Sequence, residues 1–120
     1  MGADMSDVLT LQVPTRLARR LKPALPWLPA ILELSLVGFR TRAVQTASEL
    51  IAFLLSNPTP EQVASCTVST RAQRRLRRLL ALNEAGLLSE EEKTELDEIE
   101  QIEHIMIMLK AQARQSVEAT

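Results

Sequence analysis

The 120-residue chain has no tyrosine, one tryptophan (Trp27) and two phenylalanines (Phe39 and Phe53). Its core must therefore be built from Leu, Ile, Val, Ala and Met, as helical packing tends to be. Cys66 is the only cysteine. That excludes an intrachain disulfide and makes a reducing compartment the natural setting. Glycine occurs only at Gly2, Gly38 and Gly86, so no glycine-rich loop can cradle a phosphate. His104 is the only histidine. A Ser-His-Asp or Cys-His site would have to use it, yet Cys66 sits in a connector with no supporting motif. Glu100 and His104 stand at i, i+4, a pair that on a charged helix is more often solvated than ligating. The carboxylates between Glu90 and Glu103 form a run that titrates as screened surface, not as a shaped acid–base pair. The expectation is a non-enzyme with no catalytic, cofactor-binding or metal-binding residues.

Long apolar runs are missing too. The longest, Pro23 to Phe39, is broken by Pro26, Pro29 and Glu33 and is too short to span a bilayer. No N-terminal run has the basic, apolar and small-residue order of a signal peptide, so a cytoplasmic location is expected. The net charge of −1 gives no general attraction to DNA or to an anionic membrane. At this length the chain reads as one domain, or a domain with an appendage, able to bury about two-thirds of its unfolded surface.

What is present is helical periodicity, strongest over 69–114. Thr70 with Gln73 reads as a capping box, followed by Leu76, Leu79, Leu80 and Asn83 at helical spacing. Gly86 with Leu87 behind it reads as a left-handed C-cap with its apolar contact. Ser89 with Glu92 restarts the chain as a second capping box. Leu96, Ile99, Ile102, Met106, Leu109 and Ala113 then form one apolar stripe. The pattern predicts an antiparallel helical hairpin, with helices over 71–85 and 90–114.

Charge supports that pairing. Arg71, Arg74, Arg75, Arg77 and Arg78 precede the first acid of their helix, Glu84. The second helix carries Glu90, Glu91, Glu92, Glu95, Asp97, Glu98, Glu100 and Glu103 against Lys93. Folding about Leu87 and Leu88 sets Arg74–Arg78 level with Asp97–Gln101, where each exposed pair contributes about 0–1 kcal/mol. The pattern specifies orientation more than it adds stability, and the arginines are expected to be largely neutralised by the acidic helix. The second helix is longer than its partner by more than ~10 Å. Met106, Ile107, Met108 and Leu109 therefore overhang, to be covered by the N-terminal half or by another chain, and with Ile105 they are the candidate partner-binding residues.

The run Ala47 to Val63, containing Asn57-Pro58-Thr59-Pro60-Glu61-Gln62, together with Leu79 to Leu96 and Glu103 to Arg114, resembles a group of small bacterial helical proteins regarded as antitoxin-like. Their genes often lie beside a nuclease gene of the HNH or PIN type. The resemblance implies a nuclease partner whose site is masked by a helix of this protein.

Earlier in the chain, residues 1–7 read as a disordered start. Residues 8–13 alternate, with Leu9, Leu11 and Val13 on one face and Val8, Thr10 and Gln12 on the other, the pattern of a strand. A lone strand cannot satisfy its own backbone. Its expected partner is the same strand of a second copy, which predicts a homodimer. Pro14 and Thr15 open a helix bearing Leu17 and Leu21. The order strand, Pro, then Leu-x-x-x-Leu resembles the opening of ribbon-helix-helix repressors, which implies that Thr10 and Gln12 face bases and that Arg16, Arg19 and Arg20 approach phosphates. Pro23, Pro26 and Pro29 crowd the place of that family's short turn, and the strand carries no Lys or Arg.

A second helix is expected over Trp27–Phe39. Residues 8–44 thus form a strand-helix-helix dimerisation and possible DNA-binding region. Residues 45–68 add a helix, capped by Thr46 with Glu49, and a short helix opened by Thr59, Pro60 and Gln62. Residues 69–114 are the hairpin and 115–120 a disordered tail. The expected fold is mainly α, one short strand and about five helices. The expected function is an antitoxin-like interaction protein that binds and restrains a partner and autoregulates by DNA binding. The alternatives are a repressor without a toxin, or a non-catalytic subunit of a larger assembly.

Overall fold

The last helix is the spine on which the rest of the chain is laid. The computed structural model describes residues 6–119, which form α1 (Thr15–Leu21), a 3-10 segment (Lys22–Trp27), α2 (Leu28–Leu36), α3 (Val44–Leu55), α4 (Pro60–Ala64), α5 (Thr70–Glu84) and α6 (Glu90–Glu118). The 29 residues of α6 reach about 44 Å at 1.5 Å per residue, close to the molecule's longest dimension of 48 Å. The helix runs through residues 115–118, which the sequence reads as a tail.

Two capping boxes form where the local spacing predicts them. Thr59 Oγ1 accepts from the Gln62 N–H (3.2 Å) while Gln62 Oε1 accepts from the Thr59 N–H (2.9 Å), opening α4. Ser89 and Glu92 repeat the arrangement at the start of α6, at 3.1 and 2.9 Å. The Ser89 N–H holds the Glu92 carboxyl below its ordinary value of 4.5. A depressed carboxyl stabilises the fold fully above that ordinary value and loses its contribution as pH falls through the lower folded one, so the first turn of α6 loosens in acid.

Two other caps differ from expectation. α5 is capped by Ser69, whose hydroxyl accepts from the Ala72 N–H (3.2 Å), with Thr70 one place inside; Gln73 instead donates to the Val68 carbonyl (2.9 Å). α3 starts at Val44, ahead of Thr46, and has no side-chain cap of its own. Glu98 supplies the restraint from α6: its carboxylate accepts from the Arg40 N–H (2.8 Å) and from the Thr41 hydroxyl (2.5 Å), and Thr41 Oγ1 in turn accepts from the Ala43 N–H (3.2 Å).

The hairpin turn is a Schellman motif. Gly86 sits at φ +71°, a region open to glycine, the Leu87 N–H reaches the Leu82 carbonyl (2.9 Å) and the Gly86 N–H reaches Asn83 (3.0 Å). Leu87 itself stays 68% exposed. α5 and α6 fold back on each other, but the arginine register differs from expectation. Arg75 meets Glu95 and Glu92, not the 97–101 level.

The main core lies on the other side of α6. Ile102, Ile105, Met106, Leu109 and Ala113 are buried against Trp27 and Leu34 from the proline-rich run, Leu50 and Leu54 from α3, and Val63 of α4. The N-terminal half of the same chain thus covers Ile105, Met106 and Leu109. Two polar contacts pin it: Gln112 donates to the Pro26 carbonyl (2.8 Å) and Lys110 to the Cys66 carbonyl (2.8 Å). Where ribbon-helix-helix openings have a short turn, the prolines that crowd this place give a 3-10 segment, because Pro23 and Pro26 lack the N–H an α-helical ladder needs there. α2 ends at Leu36 with Gly38 at φ +71°.

The chain is mainly helical, and no strand forms among the described residues. Residues 8–13, expected as a strand, carry no regular structure, and Val8, Leu9 and Leu11 are 93%, 90% and 80% exposed. No other strand among the described residues offers an edge, so the ladder that would define one has nothing to bond to. Residues 1–5 of the expected disordered start, and residue 120 of the expected tail, lie outside the described residues.

Candidate interaction surfaces

α6 is held by α5 on one side and by α2 and α4 on another, so its remaining surface is divided into two faces. The residues read from sequence as one partner-binding patch are split accordingly. Ile105 (6% exposed), Met106 (9%) and Leu109 (2%) belong to the core, whereas Ile107 (64%) and Met108 (61%) are open. Consecutive residues on a helix point about 100° apart. Ile107 lines a cleft shared with α5, and Met108 lies beside Pro29 and Glu33 of α2.

The cleft between α5 and α6 has a volume of about 370 Å³. Its apolar lining comes from Val68, Leu76, Ile99, Ile102, Met106 and Ile107. Arg42, Arg71, Arg75 and Lys110 supply positive charge, and Glu95 and Glu103 negative. Arg75 is bound in a fork by Glu95 at 2.8 and 2.7 Å, a pairing that raises its guanidinium pKa, and Arg71 by Glu49 (3.1 Å) and Gln45 (2.5 Å). Arg42 and Lys110 have no carboxylate partner among the described residues.

Glu95 and Glu98 are the two buried charged residues among the described residues, 2% and 4% exposed. Both belong to the carboxylate run expected to be solvated surface. Their signal was nevertheless present: residues 95, 98, 102, 105 and 109 follow one another at three- and four-residue steps, so both glutamates lie on the apolar stripe.

The second face joins α2 to α6. Glu33 and Leu36 of α2 line it with Asp97, Glu100 and His104 of α6, and Met108 continues it toward Pro29. Leu36 is 83% exposed and Leu32 52%. Three carboxylates among exposed apolar side chains make an acidic, greasy surface.

The candidate DNA-contacting residues are all exposed, Thr10 and Gln12 in the irregular N-terminal segment and Arg16, Arg19 and Arg20 on α1. At i, i+3 and i+4 the three arginines share a face. None of the three has an ion-pair partner among the described residues. Burial pushes the Cys66 thiol up, with the Lys110 ammonium working against it. No group of three or more His, Cys, Asp or Glu able to hold a metal occurs among the described residues. Nor is any helix among them long and apolar enough to cross a membrane. No protein-family model, curated protein or solved structure matches this chain.

Proposed function

We propose that this chain is a non-catalytic, antitoxin-like interaction protein that binds and restrains a partner protein, a nuclease, through the long helix of its C-terminal hairpin. The observation that carries the reading is the α2–α6 face. Glu33, Asp97 and Glu100 line the face beside exposed Leu36, and exposed Met108 continues it past Glu33, a combination that suits a basic, nucleic-acid-binding cleft. The carboxylates steer and orient the approach, and the apolar side chains supply the anchors. Co-expression with the product of the adjacent gene, followed by co-purification, tests it. The Asp97→Lys/Glu100→Lys variant and Met108→Asp are each expected to weaken the complex at least tenfold by calorimetry. All three positions are exposed, so the helical circular dichroism stays unchanged. A complex of unaltered affinity removes this face from consideration.

A second reading is sequence-specific DNA binding by the N-terminal region, as a repressor with or without a partner. The shared, unpaired arginine face of α1 favours it. On this reading Arg16, Arg19 and Arg20 neutralise phosphates while Thr10 and Gln12 meet bases. In gel shifts on the upstream region of its own gene, Arg19→Ala weakens binding and lowers its salt dependence. A shift that does not respond to salt, or none, defeats the reading.

A further inference from the structure

Two features on opposite ends of the chain lack partners, and their chemistries match. The first is the segment Asp7–Val13, where Val8, Leu9 and Leu11 are almost wholly exposed. The second is the α5–α6 cleft, where Ile107 is open to water and Lys110 has no carboxylate partner. We propose that residues 7–13 of one copy dock as an extended segment into the α5–α6 cleft of a second copy, reciprocally, forming a two-fold dimer. This goes beyond the partner-binding reading and uses a different face of α6.

The match has three parts. Extended residues alternate sides, so Asp7, Leu9, Leu11 and Val13 share one face. That face offers one acid followed by three apolar side chains. The cleft offers an ammonium with no carboxylate partner, Lys110, bonded only to the Cys66 carbonyl (2.8 Å), at one end of an apolar floor that includes Met106, Ile107, Ile102, Ile99 and Leu76. Length is the second part. From Glu95 to Lys110 the cleft follows α6 for about 22 Å at helical rise, and the six steps from Asp7 to Val13 span about 20 Å when extended. The third part is the backbone. The cleft opens to solvent on one side, so the peptide groups of the docked segment on that side keep water as their partner.

With Asp7 at Lys110, Leu9 covers Ile107 and Val13 approaches the Arg75–Glu95 end. Thr10 and Gln12 face outward. A two-fold arrangement uses each segment and each cleft once, leaving neither open.

Analytical ultracentrifugation of the full chain tests this. The wild type is expected to dimerise. Leu9→Asp, Leu11→Asp and Ile107→Asp each raise the dimer dissociation constant at least tenfold, whereas Val8→Asp and Thr10→Asp, on the other face of the segment, change it less than threefold. Asp7→Lys and Lys110→Asp each weaken the dimer, and the two together restore it. Every one of these positions except Lys110 is exposed, and far-ultraviolet circular dichroism of each variant checks that the fold persists. A chain that is monomeric at several hundred micromolar overturns the proposal, including the case in which each segment occupies its own cleft. So does a dimer indifferent to Ile107→Asp, as strand-to-strand pairing alone would give. Neither result bears on Asp97, Glu100 and Met108, so the partner-binding reading stands or falls separately.

Discussion

Trp27→Ala is expected to destabilise the fold by about 3–5 kcal/mol, lowering the melting temperature by roughly 12–20 °C. Trp27 is 3% exposed in the main core, where the 3-10 segment hands over to α2. Its removal subtracts the largest apolar surface in that core and leaves a cavity between elements that cannot close on one another. Part of the reason is Pro29, fixed in the first turn of α2. Folded proteins of this kind are stable by only about 5–15 kcal/mol, so this one change consumes a large share. Trp27→Phe separates the contributions. It keeps most of the burial and loses only the indole contact to the Pro58 carbonyl, which at 3.4 Å is a long hydrogen bond. Its expected cost is about 1 kcal/mol. Thermal melts followed at 222 nm distinguish the two; equal melting temperatures for Trp27→Ala and wild type would mean that the indole does not hold the core.

Arg75→Ala is the second large effect, expected at about 3 kcal/mol and roughly 10 °C in melting temperature. The Glu95 side chain is 3% exposed and Arg75 is the cation that faces it. Removing the guanidinium strands a carboxylate in a dry site. The figure sits at the low end for buried pairs because the Arg75 side chain is 22% exposed, which gives water a route to the vacated space. The reverse change is gentler. In Glu95→Leu the freed Arg75 can turn to solvent or to Glu92, already 4.0 Å away. Arg75→Met combined with Glu95→Leu is expected to recover most of the loss, since an apolar pair of similar volume needs no compensation. A double-mutant cycle of Arg75→Met, Glu95→Leu and the two together, on denaturant midpoints, reads this directly. Additive effects of the two single variants would show that the fork carries no coupling.

Legibility in the sequence tracked distance along the chain. Ser89 with Glu92 and Thr59 with Gln62 read correctly because a capping box closes within four residues and needs nothing else. The same spacing at Thr46–Glu49 and Thr70–Gln73 misled. Ser69 competes for the cap one position earlier, and the start of α3 is held by a carboxylate 57 residues away from Thr41. No local window contains that contact. The hairpin turn at Gly86 was legible because only glycine takes its backbone angle cheaply. Its side-chain register was not, because the burial of Glu95 draws Arg75 toward the turn.

The candidate surface was half visible. Periodicity identified an overhanging apolar segment over 105–109 but could not say that α2, α3 and α4 would come back to cover it, taking Ile105, Met106 and Leu109 into the core. Only Ile107 and Met108 were left outside. The pattern over 8–13 was read as a strand from its alternation, and alternation describes a face, not a ladder; with no neighbouring edge the face exists without the bonds.

Hanging α3 from Glu98, and packing α2 and α4 against α6, places the decisive contacts of the N-terminal half within the final third of the chain. The 3-10 segment, α2 and α3 touch one another, but the side they bury together is closed only by α6. The main core cannot consolidate until α6 has emerged, so a nascent or prematurely terminated chain stays open to proteases and chaperones. The reach of α6 as far as Ala113 is thus what seals the molecule, and a chain cut short of it exposes the side chains that α2, α3 and α4 would otherwise bury.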